Sequence, residues 1–179
     1  MASSAKNYII GNMSDEQVKR KRPPFYRYGL PALCFLAAFG TMFASLVQTD
    51  TAYGETIYFY GAKVLFGGEM IRNLASGQYS FTLYVNIYLL VVSQLFLLAA
   101  VSGFLSSNNT FNRVFSLGLS TLAIVGVSLS AVFVSIVNHL PMDGLLVSYG
   151  SFFSIVLSVI GIVLEIGAWV AEKKEKAKK

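Results

Sequence analysis

One cysteine, one histidine and one tryptophan occur in 179 residues, and only 13% of the side chains are charged. The lone Cys34 excludes an intrachain disulfide, a Cys-x-x-Cys redox pair and a thiolate zinc site, and reads as a small packing residue. A metal site wants three or four ligands. The single histidine, His139, stands near Pro141, Asp143 and Gly144, so that stretch reads as a polar turn. Nucleophile elbows, phosphate-cradling glycine loops, His-Glu-x-x-His and paired carboxylates are all missing. Neither catalysis nor a cofactor is expected. Soluble domains carry about 25% charge and about 45–50% apolar residues. Here 55% of residues are hydrophobic and the mean hydropathy is +0.60, which points to an integral membrane protein. The net charge of +5 does not imply a nucleic-acid partner, because the basic residues gather in two terminal blocks rather than along a groove.

A spanning helix needs about 20 apolar residues to cover about 30 Å of hydrocarbon. Four stretches meet that requirement, 29–47, 81–105, 114–137 and 149–171, and none contains Lys or Arg. They leave outer loops at 48–80 and 138–148, an inner loop at 106–113, a basic arm at 1–28 and a Lys-rich tail at 172–179. Positive loops stay cytoplasmic. Arm, inner loop and tail hold twelve Lys and Arg, whereas the opposite side has only Lys63 and Arg72. Both termini are therefore expected inside, in a multi-pass protein of the plasma membrane. The first span, longer than a signal-peptide core and without a clear cleavage site, reads as a retained signal anchor. The sequons at Asn12 and Asn108 fall on the inner side and are expected to be unmodified.

In lipid, helices pack through small residues that let backbones approach. Ser151, Ser154, Ser158, Gly161, Glu165 and Ala168 repeat at the a and d spacing of a left-handed bundle. Similar stripes are Asn86, Ser93 and Ala100 in the second span, Thr121, Ser128 and Ser135 in the third, and Ala37, Gly40 and Ala44 in the first. The fold expected is an all-α membrane protein: a left-handed four-helix transmembrane bundle with a short extracellular β-hairpin in the first outer loop. Glu165 is the only acid at membrane depth, where a carboxylate is costly and marks a candidate site. Gln94 falls at similar depth, and with Asn86 and Glu165 it makes a candidate intramembrane polar site. An interhelical clamp is the plainer reading of the same residues.

The first outer loop reads Glu-Thr-Ile-Tyr-Phe-Tyr from Glu55, then Gly61-Ala62, then Lys-Val-Leu-Phe to Phe66. Two β-type runs around a Gly-X pair predict a hairpin with a II′ turn. Glu69 and Arg72, three apart, suggest a turn or two of helix after it. The aromatic and apolar residues Tyr58, Phe59, Tyr60, Val64 and Phe66 form a candidate docking face. Lys19, Arg20, Lys21 and Arg22 are candidates for contact with anionic inner-leaflet headgroups. Pro23-Pro24 stops helix extending from the arm into the first span.

The segment Phe59-Tyr60-Gly61-Ala62-Lys63-Val64-Leu65-Phe66-Gly67-Gly68 resembles a segment in the first outer loop of small, uncharacterised four-span proteins of Gram-positive bacteria. That resemblance implies a bacterial cell-membrane setting and points to no known activity. The overall plan resembles claudin-like tetraspan proteins in architecture alone, since residues 48–80 hold neither Trp nor Cys. The function expected is a non-catalytic accessory or scaffold subunit that docks a membrane-protein partner, or a second copy, through its outer loop and helix faces. The alternative is a small oligomeric transporter or channel using Glu165.

Overall fold

The structure is a computed structural model and describes residues 25–177. A short 3-10 turn, Phe25–Arg27, leads into helix α1, Gly29–Thr41. Pro31 sits in the first turn of α1, where no backbone N–H is required. Four strands and one short helix follow: β1 (Ser45–Asp50), β2 (Thr56–Tyr60), α2 (Gly61–Phe66), β3 (Gly68–Leu74) and β4 (Gly77–Leu83). Then come α3 (Ile87–Phe104), α4 (Thr110–Ser128), α5 (Ser130–Asn138), β5 (Leu145–Val147) and α6 (Tyr149–Ala177). The protein is mostly helical, but it is not all-α, because it also builds two small sheets.

Three helices are long and apolar enough to cross a membrane: α3, α4 and α6. The apolar α1 is shorter, at 13 residues. The helical part of the first expected span stops at Thr41, where Met42, Phe43 and Ala44 bond back three residues to Phe39, Gly40 and Thr41 and tighten the last turn. The remainder of that run becomes β1. Its backbone is satisfied on both sides, as the middle strand of the order β2-β1-β5. The third expected span is also interrupted, at Leu129, between α4 and α5. Ser128 returns its hydroxyl to the carbonyl of Ile124 at 2.8 Å, a back-bond that bends helices.

α1 packs on α3 and α6, and α4 packs on the same two helices, so the four close a ring. The interior is filled by side chains: Phe35, Ala38, Leu89, Phe96, Ala100 and Val127 are essentially buried. Close approach is bought with missing Cβ atoms. A Cβ on Gly150 would lie 2.5 Å from the carbonyl oxygen of Ser45, and one on Gly161 would lie 2.6 Å from the Phe35 ring. The packing face of α6 is as expected, with Ser151, Ser154, Ser158, Gly161 and Glu165 buried, and so is that of α3. Two stripes are corrected. Ala37 and Gly40 of α1 face outward, and the packed face is Ala32, Phe35 and Ala38. Thr121 and Ser128 of α4 also face outward, and Ser116, Ser120, Ala123 and Val127 face in.

The segment expected to form a hairpin around Gly61-Ala62 does not. β2 pairs antiparallel with β1, from Asp50↔Thr56 to Ser45↔Tyr60 with a bulge, and residues 61–66 are the helix α2. Gly61 is needed for closeness rather than for a turn: its N–H reaches the carbonyl of Ala44 at 2.5 Å, and a Cβ would fall 1.7 Å from the carbonyl oxygen of Met42. Glu69–Ala75 is not helical either. β3 and β4 form the second hairpin, in register from Gly68↔Leu83 to Leu74↔Gly77, across the two-residue turn Ala75-Ser76. Phe81, expected to open the second span, therefore lies in β4. On a strand Glu69 and Arg72 point to opposite faces. Glu69 accepts from the Ser80 hydroxyl at 3.2 Å, and the Arg72 guanidinium lies 4.2 Å over the Tyr60 ring. The tips of the two hairpins are tied by Glu55, whose carboxylate accepts from the Ala75 N–H at 2.9 Å and from the N–H and hydroxyl of Ser76.

Candidate functional site

The buried face of α6 is a run of hydroxyls that ends in a carboxyl. Ser151 donates to the carbonyl of Leu46 at 2.9 Å and meets Ser130 at 3.3 Å. One turn on, Ser154 contacts the Thr41 hydroxyl at 2.7 Å, and after it Ser158 donates to the carbonyl of Ser154 at 2.7 Å. Such hydroxyls carry their own partners within the helix or on a neighbour. Their burial is therefore cheap, and they fix the register of α6 against α1, β1 and α5.

Glu165 is different. It is 2% exposed, and its Oε2 meets the Ser116 hydroxyl of α4 at 3.1 Å. Ser116 also donates to the carbonyl of Ala99 on α3, at 2.9 Å. A serine has one hydroxyl proton. Both contacts therefore draw on one proton, shared between the carbonyl of Ala99 and Oε2 of Glu165. Oε1 of Glu165 has no hydrogen-bond partner among the described residues.

One turn before Ser116 on the same helix, Arg113 is 3% exposed. Its Nη2 donates to Glu172 of α6 at 2.6 Å and its Nε to the carbonyl of Ser106 at 3.3 Å, while Nη1 is buried without a partner among the described residues. Arg113 with Glu172, and Ser116 with Glu165, are successive rungs between antiparallel helices. Further along α6, Glu175 forms a two-pronged pair with Arg27, one arm at 2.9 Å. Lys173 lies 4.8 Å over the Trp169 ring. This end of the helices is a charged seam that ties the start of α1 and of α4 to the last turns of α6.

The three polar residues expected to converge do not. Asn86 is buried at the start of α3, where its side chain accepts from the N–H of Leu89 at 3.1 Å and donates to the carbonyl of Phe133 at 3.0 Å; it is a helix cap. Gln94, two turns further, faces outward and has no partner among the described residues. The companions of Glu165 are Ser116, which stands outside the stripe expected for the third span, and Arg113, which counts in the sequence only as an inner-loop charge. A usable signal existed: Ser116, Ser120, Ala123, Val127 and Ser130 repeat with a and d spacing, like the stripe on α6.

Of the docking residues, Tyr58, Tyr60 and Phe66 are exposed, whereas Phe59 and Val64 are completely buried in the core. Tyr58 lies against Tyr149, with ring centroids 5.8 Å apart, and Phe66 stacks at 6.4 Å on Phe43. His139 is the left-handed cap that ends α5, at φ 52°. Asp143 lines a cavity of about 130 Å³ together with Phe59, Phe81 and Pro141. Among the described residues no group of three His, Cys, Asp or Glu is placed to hold a metal ion. Lys19, Arg20, Lys21 and Arg22 lie outside the described residues.

Comparison with protein-family models, with curated proteins and with solved structures returns no match.

Proposed function

We propose that the chain is a multi-pass plasma-membrane protein whose α1, α3, α4–α5 and α6 make a left-handed four-span bundle. Both termini are cytoplasmic and the two sheets face outside. In it the chain acts as a non-catalytic accessory or scaffold subunit that docks a membrane-protein partner. The observation that carries this reading is the form of the sheet end: β2 is an edge strand, and it presents Tyr58 and Tyr60 on one face, both exposed, as is Phe66 of the following α2. An open strand edge supplies backbone hydrogen bonds and aromatic side chains supply contact area, the two ingredients of recognition by strand addition. The side chains that fill the helix ring weigh against a pore along its axis.

Purification from native membranes in mild detergent tests the proposal. A stoichiometric partner that is lost on Tyr58→Ser with Tyr60→Ser, at unchanged expression, is the expected result. A chain that purifies alone, or a partner indifferent to both substitutions, overturns it.

A second reading has one observation in its favour, the unpartnered oxygen of Glu165 next to a serine that can hand on a proton. It makes the protein a small proton- or cation-coupled transporter. Glu165→Gln would then abolish flux into liposomes, and an unchanged flux would remove this reading.

A further inference from the structure

Every long helix of the ring turns an apolar face outward, and lipid chains suffice to cover such a face. α3 alone places an amide in the middle of it. Ile87, Val91, Gln94, Leu98, Val101 and Leu105 are all exposed and recur at alternating intervals of four and three residues. Gln94 is the eighth of the 18 residues of α3, roughly 10 Å from its start at 1.5 Å per residue, and so near the middle of the hydrocarbon. The outward hydroxyls of α4 are accounted for, since Thr121 and Ser128 return their protons to carbonyls of their own helix at 2.8 Å. The amide of Gln94 has two donors and an acceptor and makes no hydrogen bond among the described residues. Hydrocarbon offers it nothing to bond.

We propose that this face of α3 is the interface of a parallel two-fold dimer of the chain, in which the Gln94 side chains of the two copies hydrogen-bond to each other. The choice of a second copy follows from symmetry and chemistry. Two copies inserted with the same topology run α3 parallel and bring the same residue to the same depth. A carboxamide is complementary to itself, donating through its nitrogen and accepting through its oxygen. A single polar residue within an otherwise apolar a and d seam also sets register, because any slip leaves both amides in hydrocarbon. The proposal rests on the membrane-spanning part of the reading above and is independent of docking at the sheet end.

The experiment uses the full chain with Cys34→Ala in liposomes of phosphatidylcholine and phosphatidylglycerol. Val91→Cys and Leu98→Cys, each alone, are expected to give disulfide-linked dimers on mild oxidation, while Val159→Cys on the outward face of α6 is not. Subunit counting on dilution in lipid is expected to show a dimer. Gln94→Leu should weaken it about three- to thirty-fold, the range expected for one interhelical polar contact, and Gln94→Asn should retain part of the affinity. Gln94 is exposed, so these variants leave the ring intact. A monomer at every dilution, equal crosslinking at 159, or a Gln94→Leu dimer of unchanged affinity would each overturn the proposal. The partner-release experiment on Tyr58 and Tyr60 reads separately from all three.

Discussion

Arg113 and Glu172 hold a 2.6 Å ion pair with the arginine side chain 3% exposed and the glutamate 19% exposed, 59 residues apart in sequence. Removing one member leaves the other charge buried and uncompensated, which costs about 3–5 kcal/mol, whereas replacing both by apolar residues costs far less. Glu172→Ala is therefore expected to lower thermal stability in detergent more than Arg113→Leu combined with Glu172→Leu does. Equal losses, read from unfolding midpoints, would show that the pair is not buried as described.

Gly150 and Gly40 make a matched test of helix packing. At Gly150 a Cβ meets two backbone carbonyl oxygens, of Ser45 at 2.5 Å and Thr41 at 2.9 Å, neither of which can swing away; at Gly40 it meets open space. Gly150→Ala should cost about 1–3 kcal/mol as overpacking. Gly40→Ala should be neutral or gain up to about 1 kcal/mol from helix propensity. The two unfolding midpoints should move in opposite directions or differ clearly in size.

Glu55 gives the sheet end a dependence on acid. Its hydrogen bonds from Ala75 and Ser76 hold its carboxyl below the usual carboxylate range. A lowered folded value means that the contribution is complete above the unfolded value of about 4.3 and is lost as pH falls through the lower folded one. Limited proteolysis at the Ala75-Ser76 turn should accelerate across that acidic window in the wild type. In Glu55→Gln it should be already fast and flat with pH.

Orientation is open to a direct check. In a Cys34→Ala background, Ser76→Cys should react with a membrane-impermeant maleimide added to intact cells, and Thr110→Cys should react only after permeabilisation. The opposite pattern would invert the topology.

The three long apolar helices are legible because hydrophobic runs are a strong one-dimensional signal. The α6 stripe from Ser151 to Glu165 was legible for the same reason, since small residues at a regular spacing have one simple explanation. The sheets were harder to see. Gln78-Tyr79-Ser80-Phe81-Thr82-Leu83 alternates with a strand's period of two, but its apolar members run on into the apolar start of α3 and count equally well toward a span. Leu46-Val47 likewise continues the apolar run of α1, and only pairing with β2 and β5, distant in sequence, turns it into strand. The partners of Glu165 come from another helix, and nothing local to Glu165 names them.

The 13 residues of α1 rise only about 20 Å, against about 30 Å of hydrocarbon in a typical bilayer. Its end passes within four residues into β1, which lies at the centre of a sheet and cannot be drawn out into helix without breaking two ladders. In the four-span arrangement proposed above, the bilayer would have to dip toward the protein on the α1 side while standing at full height beside α6. Annular lipids in that arrangement would be graded in thickness around the molecule, so that membranes of different acyl-chain length would set it at different tilts.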